Sequence, residues 1–248
     1  MDGLLGNFVY GMAIDKQHNL WILHHNGVTR YDGITFKKFQ STQRSEMTKY
    51  LRRIFIANDT VFTLSAEGYW GKIYNDSVYY WDKPLIQEGN IHICNQTRSG
   101  EFLFYLGNNK FMLLKDGEKR FFQSEYNLGE YLYLFNHDQE MWGRSDAGMF
   151  RIDFQEEKLY KLPFNTKHHV MSYDKGRSVF WTSDKMNLYR ETLKGNQFEQ
   201  DTILKDIMVG RVLPDSEDNV WFATDGRGLF KYYFRDFDKC GSENLRGE

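Results

Sequence analysis

Two stretches at opposite ends of the chain share one plan. Asp15-Lys-Gln-His-Asn-Leu-Trp21 runs through Asn26-Gly27 into Val28-Thr-Arg-Tyr-Asp32, and Asp215-Ser-Glu-Asp-Asn-Val-Trp221 runs through Asp225-Gly-Arg-Gly228 into Leu229 and Tyr232. Each reads as an acidic turn, a short strand anchored by Trp, a Gly-rich hairpin and a returning strand. Further anchors lie between them. Trp21, Phe62, Leu103, Trp142, Phe180 and Trp221 follow one another at 38 to 41 residues (62 − 21, for example). A period of about 40 residues is the length of one four-stranded propeller blade.

Each copy opens with a hydrophobic strand, and copies end with short aromatic-rich strands such as Thr35-Phe-Lys-Lys-Phe39 and Val78-Tyr-Tyr-Trp81. One such unit is a twisted sheet with two apolar faces, which it cannot bury alone. Stacking the units around an axis buries the anchors at the seams and leaves only short edges exposed. A linear β-solenoid is the competing arrangement, but its repeats are shorter. The expected fold is therefore all-β: a propeller of about six four-stranded antiparallel blades in a single domain spanning 1–248. The blades fall at 8–39, 50–81, 91–122, 131–162, 169–200 and 207–237. A section of a longer propeller array fits the same pattern, because Gly241-Ser-Glu-Asn-Leu245 resembles the lead-in to another copy.

Composition agrees with strands, since aromatics make up 17% of the chain and Pro occurs 3 times. A formal net charge of −2, with basic residues scattered among acids, argues against capture of nucleic acid or an anionic membrane. No apolar run approaches the roughly 20 residues of a membrane span, and no signal peptide is visible. Cys94 and Cys240 form no CxxC pair, so neither a metal knuckle nor a disulfide framework is expected, and Cys94 reads as core.

The usual catalytic strings are missing: no Walker loop, HExxH, GxSxG or GxGxxG. The acidic turns Asp15 to Asn19, Asp174 to Gly176 and Asp215 to Asn219 lack calcium-loop spacing and read as tight turns. Glu156-Glu157 reads as a solvated connection, and His24-His25 as exposed hairpin residues. Trp70, Tyr79, Tyr80 and Trp81 read as blade packing. Laid in register from their anchors, the first strands place Tyr10, Arg52, His92, Tyr131, His169 and Gly210 in one column. Gly11, Arg53, Ile93, Leu132, Val170 and Arg211 form the next. First strands line a propeller's channel, so Tyr10, Arg52, His92, Tyr131, His169 and Arg211 are the candidate ligand residues at its mouth. Rings stack on apolar sugar faces, and charged donors bond hydroxyls or carboxylates. A channel filled only with water fits the same residues.

The pattern Asn19-Leu-Trp21…Gly27-Val-Thr-Arg-Tyr-Asp-Gly33, with Asn219-Val-Trp221…Gly228-Leu-Phe-Lys-Tyr232, resembles the two-component regulator propeller repeat. The lead-in Asp2-Gly-Leu-Leu-Gly-Asn7 resembles the segment that precedes such a repeat. Members of that family are typically periplasmic sensor regions of hybrid histidine kinases, and many respond to polysaccharide fragments. The resemblance implies a non-catalytic sensor, a periplasmic location, an oligosaccharide ligand, a homodimer and attached signalling domains. No cofactor, metal, nucleic acid or membrane contact within this chain is expected. Departures are Leu23-His24, where the family often has Gly-Thr, and Phe62 and Leu103 in place of Trp. The alternatives are a propeller-type enzyme (a lyase or hydrolase) and a protein–protein scaffold.

Overall fold

The computed structural model describes residues 4–6, 8–24, 27–41, 51–57, 59–86, 91–97, 100–129, 132–184 and 186–233, without the side chains at positions 41 and 171. Every regular element among them is a strand, and no helix is long and apolar enough to cross a membrane. The first group is β1 (Val9–Ile14), β2 (Leu20–His24), β3 (Gly27–Tyr31) and β4 (Phe36–Ser41). Next come β5 (Leu51–Ala57), β6 (Thr60–Ser65), β7 (Trp70–Tyr74) and β8 (Ser77–Tyr80). The third group is β9 (Ile93–Gln96), β10 (Phe102–Gly107), β11 (Lys110–Lys115) and β12 (Glu118–Gln123). The fourth is β13 (Leu132–His137), β14 (Glu140–Ser145), β15 (Gly148–Asp153) and β16 (Lys158–Lys161). Then follow β17 (His169–Asp174), β18 (Val179–Ser183), β19 (Leu188–Lys194) and β20 (Gln197–Leu204), and finally β21 (Val209–Pro214), β22 (Asn219–Thr224) and β23 (Gly228–Tyr233).

Turn chemistry explains why these strands fold back on their neighbours. Asn75 and Asp76 have φ of 45° and 61°, Asn108 and Asn109 of 50° and 62°, and Asp116 and Gly117 of 49° and 84°. Two successive positive φ values give the hairpin turn whose twist matches that of the strands, and Asn, Asp and Gly reach them at least cost. The acidic turns are structural as expected. Asp15 Oδ1 accepts from the N–H groups of Gln17 and Asn19 at 3.0 and 2.8 Å, while its Oδ2 accepts from Trp21 Nε1 at 2.7 Å. Asp215 repeats the arrangement with Glu217, Asn219 and Trp221. The turn therefore fixes the anchor indole as well as the backbone.

The first strands of the groups form the innermost layer. β1 touches β5, β5 touches β9, β9 touches β13, β13 touches β17, β17 touches β21, and β21 returns to β1. A bridge between Phe8 and Asp225 also ties the last group to the first. Apolar clusters fill the seams. Trp21, Leu23 and Val28 pack with Ile54 and Val61; Phe135 and Trp142 pack with Val170 and Phe180; Trp221 and Leu213 pack with Leu20 and Ile22.

The expected count of six separate four-stranded blades is not what the hydrogen bonding forms. The described residues make five sheets, of eight, four, four, four and three strands. The first two groups merge because β4 and β8 pair in parallel over Gln40–Ser77 and Ser41–Val78. The expected fourth strand at Phe234 to Phe237 lies outside the described residues.

Two further expectations need correction. Phe180 does not occupy the anchor position. On the ladder the anchors lie opposite Ala13, Phe55 and Leu213, and the matching residue opposite Asp174 is Val179. The turn after β17 is shorter than the one after β1, which moves the aromatic to the opposite face, against Trp142. His24 is not an exposed hairpin residue. It ends β2 with 1% of its surface accessible, because its position alternates with the buried Leu20 and Ile22 on the same face. Its neighbour His25 lies outside the described residues.

Candidate functional site

Four of the innermost strands carry a register irregularity, and at the first of these Tyr10 packs against the seam cluster around Trp21 and Ile54. In β1, β5, β17 and β21 one residue is skipped on the ladder: positions 10, 52, 171 and 210. A bulge bends the strand and re-aims the side chains beside it. Tyr10 and Arg52 sit at this position, and His92 holds the equivalent place before β9, its N–H donating to Tyr105 O at 3.0 Å. Tyr131 lies outside the described residues. His169 sits outside the column, paired with Ser183, because the bulge of β17 falls two residues later than the anchor spacing implies. In β13 no residue is skipped, so Tyr133 rather than Leu132 takes the next position.

That next column is Gly11, Arg53, Tyr133, Ser172 and Arg211, with Ile93 in β9. Arg53 reaches across to the following group, where Nε donates to Cys94 O at 3.0 Å, and Nη1 donates to Arg52 O at 3.0 Å. Arg211 Nη1 donates to Gly210 O at 2.7 Å. The ring of His169 packs on Tyr133 with centroids 4.8 Å apart. Burial pushes the Arg53 guanidinium down to about 9, and the charges of Arg211 and Arg52 add to the shift. Arg211 is lowered by burial, with Arg52 again adding. Guanidinium stays charged at neutral pH regardless, so both groups remain cations, and the shifts reflect burial first and the neighbouring charges second. Sequence reasoning missed Tyr133, whose position depends on the absence of one bulge.

A second polar cluster lies beside the start of β17. His168 Nδ1 lies 2.6 Å from Glu191 Oε1, and the His168 ring stacks on Tyr189 at 4.2 Å and 11°. Glu191 is 2% accessible, and its Oε2 has no hydrogen-bond partner. Tyr189 donates to Asp184 Oδ2 at 2.6 Å. Partial burial raises the Asp184 carboxyl, but hydrogen bonds from Tyr189, Asn187 and Met186 outweigh this and bring it to about 2. Arg144 Nη2 donates to Thr166 O and Lys167 O at 3.5 Å.

The remaining candidates are structural. Cys94 is buried, and burial pushes its thiol up. Trp70 packs edge-on among Phe62, Phe102 and Phe104, and Tyr80 is buried, whereas Tyr79 and Trp81 are exposed. Glu157 pairs with Arg120 at 3.1 Å. A shallow apolar groove lined by Leu85, Ile86, Leu106 and Phe121 lies away from the innermost strands. Among the described residues no group of His, Cys, Asp and Glu could hold a metal ion.

Residues 3–26 match the family model described as two component regulator propeller. No curated protein matches the chain. Among solved structures, virginiamycin B lyase from Staphylococcus aureus is similar at 12% identity and a TM-score of 0.62, covering 92% of this chain and 85% of that one. An extracellular domain assigned to the hybrid two component system BT3049 of B. thetaiotaomicron matches at 14% identity and a TM-score of 0.61, over 93% of this chain and 34% of that one. The corresponding domain assigned to BT4673 matches at 14% and 0.64, over 98% and 34%. This chain thus spans about a third of those extracellular domains. At such identities the likeness shows the fold alone: an all-β propeller of antiparallel sheets.

Proposed function

We propose that this chain, a propeller carrying the two component regulator repeat, is a non-catalytic ligand-recognition module of an extracytoplasmic sensor. The architecture we propose is a closed ring of six units, supported by the circuit of contacts among the innermost strands. The ligand is a carbohydrate fragment at the channel mouth, held by Tyr10, Arg52, His92, Tyr131, His169 and Arg211, with Arg53 and Tyr133 added. The observation that carries this reading is the register column of the innermost strands, where Arg53, Tyr133 and Arg211 come from different strands with the His169 ring packed on Tyr133, and where the described residues bring no carboxylate pair for acid–base work. Binding shifts the population between arrangements of two copies, and so of attached signalling domains in the periplasmic and transmembrane chain. The extracellular assignment of the two-component neighbours supports that location.

A thermal-shift screen against oligosaccharides tests this. At a hundredfold excess over Kd, a ligand raises Tm by about 5 to 10 °C in a chain of this size. The shift is expected to disappear in Arg52→Ala. Turnover of a small substrate, with no glycan giving a shift, would overturn the sensor reading. The second reading is an enzyme of the propeller type, lyase or hydrolase, favoured by the buried Glu191 against His168. It requires turnover that is lost in His168→Asn.

A further inference from the structure

The innermost strands are lopsided in charge. β1, β5, β9, β13, β17 and β21 together contain Arg52, Arg53 and Arg211 but a single carboxylate, Asp174. Asp174 lies at the far end of β17, next to the turn, and Arg177 Nη1 holds it at 2.7 Å. None of the three inner arginines belongs to an ion pair among the described residues. Arg53 and Arg211 donate to carbonyl oxygens: Arg53 to Cys94 and Arg52, Arg211 to Gly210. The three come from two strand groups, on either side of the first, and Arg53 and Arg211 hold the same register position on their strands. The charges of Arg211 and Arg52 act on Arg53, and that of Arg52 acts on Arg211.

Like charges brought together without a counter-ion cost stability, and a fold gains nothing from them in the absence of a partner. Packing does not demand the arrangement either. A Cβ on Gly210, beside Arg211, would meet the Val9 and Ala223 carbonyl oxygens at 3.8 and 3.9 Å, ordinary contact distances, so packing does not dictate glycine there. Arg53 and Arg211 remain partly accessible although the ring surrounds them, and Arg52 is exposed. The planar guanidinium fork matches oxyanions in a way that neutral hydroxyls do not exploit.

We infer that the inner column around Arg52, Arg53 and Arg211 is an oxyanion site, and that the ligand of the proposed recognition function is an acidic saccharide. This rests on the channel-mouth reading above and narrows its ligand class. Tyr133 and the His169 ring packed on it supply the flanking aromatic surface on which an adjacent sugar ring stacks. The shared chemistry is a carboxylate or sulfate group carried on an oligosaccharide.

The test is a binding titration of the whole chain with four probes: an oligogalacturonate, a sulfated oligosaccharide, a neutral oligosaccharide of matched length, and inorganic sulfate alone. Tighter binding of either acidic oligosaccharide than of the neutral one, weakened by added salt, is expected. Arg211→Ala is expected to weaken it about 10- to 100-fold, the loss of one charged hydrogen-bonding anchor. Comparing the two acidic probes identifies carboxylate or sulfate as the favoured group. Equal affinity for neutral and acidic probes overturns the charge assignment while leaving the recognition reading intact. Binding of inorganic sulfate alone, with no oligosaccharide bound, overturns the saccharide. No response to any probe overturns the oxyanion site.

A second measurement needs no ligand. Arg211→Ala removes a charge that forms no ion pair among the described residues and donates to the adjacent Gly210 carbonyl, so the variant is expected to melt at or above the parent temperature in low salt. A fall of several degrees shows the guanidinium to be a structural tie, and sinks the inference.

Discussion

His24 provides a pH test of the seam between the last and first strand groups. Its side chain is 1% accessible, on the same strand face as Leu20 and Ile22, which pack against Ala223 of β22. Neither ring nitrogen makes a hydrogen bond of good geometry. The nearby Phe8 and Gly6 backbones favour the charged ring slightly, but burial outweighs them and pushes the imidazole from 6.5 down to about 4. The folded state therefore holds His24 neutral, whereas the unfolded chain takes up a proton below 6.5. Stability from this group is complete well above 6.5 and falls as the pH drops, levelling off near 4. A shift from 6.5 to about 4 corresponds to a total of about 3 kcal/mol, with about 1 kcal/mol already lost at pH 5.5. The depressed carboxylates Asp15 and Asp215 act only lower, around and below 3.8, so the window between 4 and 6.5 separates the two effects. The assay is urea unfolding of the parent and of His24→Leu at pH 7, 5.5 and 4.5. Leu cannot ionise and leaves no buried nitrogen unsatisfied, so the variant's midpoint should change far less over this range. Parallel decline of both proteins would refute the assignment of a neutral, buried imidazole.

Other expectations follow from the seams and turns. Trp142→Ala removes an indole that contacts Phe135, His137, Phe164 and Phe180, and should cost about 3 to 5 kcal/mol in chemical denaturation. Asp15→Ala deletes the acceptor of two backbone N–H groups and the Trp21 indole, and should cost about 1 to 3 kcal/mol. Its carboxyl is raised by burial but lowered further by those hydrogen bonds, so the stability it adds is present above 3.8 and lost on acidification below it. Gly71→Ala places a Cβ 2.6 Å from Thr63 Oγ1 and 2.8 Å from Tyr80 Cε1, and should lower Tm, whereas Gly6→Ala meets nothing within 4 Å and should leave it unchanged.

The all-β class, the strand positions and the role of the acidic turns could be read from the residues, because strand alternation, Asn/Asp/Gly turns and the anchor spacing are local signals. That the same turns also hold the anchor indoles, Asp15 to Trp21 and Asp215 to Trp221, emerged from the structure. Facing and register depended on the assembled sheets. One shorter turn gave the anchor place to Val179 instead of Phe180, and a bulge at position 171 moved His169 out of the column. The lack of a bulge in β13 brought Tyr133 into it. A side chain in a strand changes face with each residue counted, so a single inserted or skipped position, invisible in a period of about 40, reverses what it touches. The pairing of β4 with β8 and the gathering of Arg52, Arg53 and Arg211 likewise needed the tertiary structure. They bring together residues from different repeats, and those distances are set by how the sheets pack around the ring.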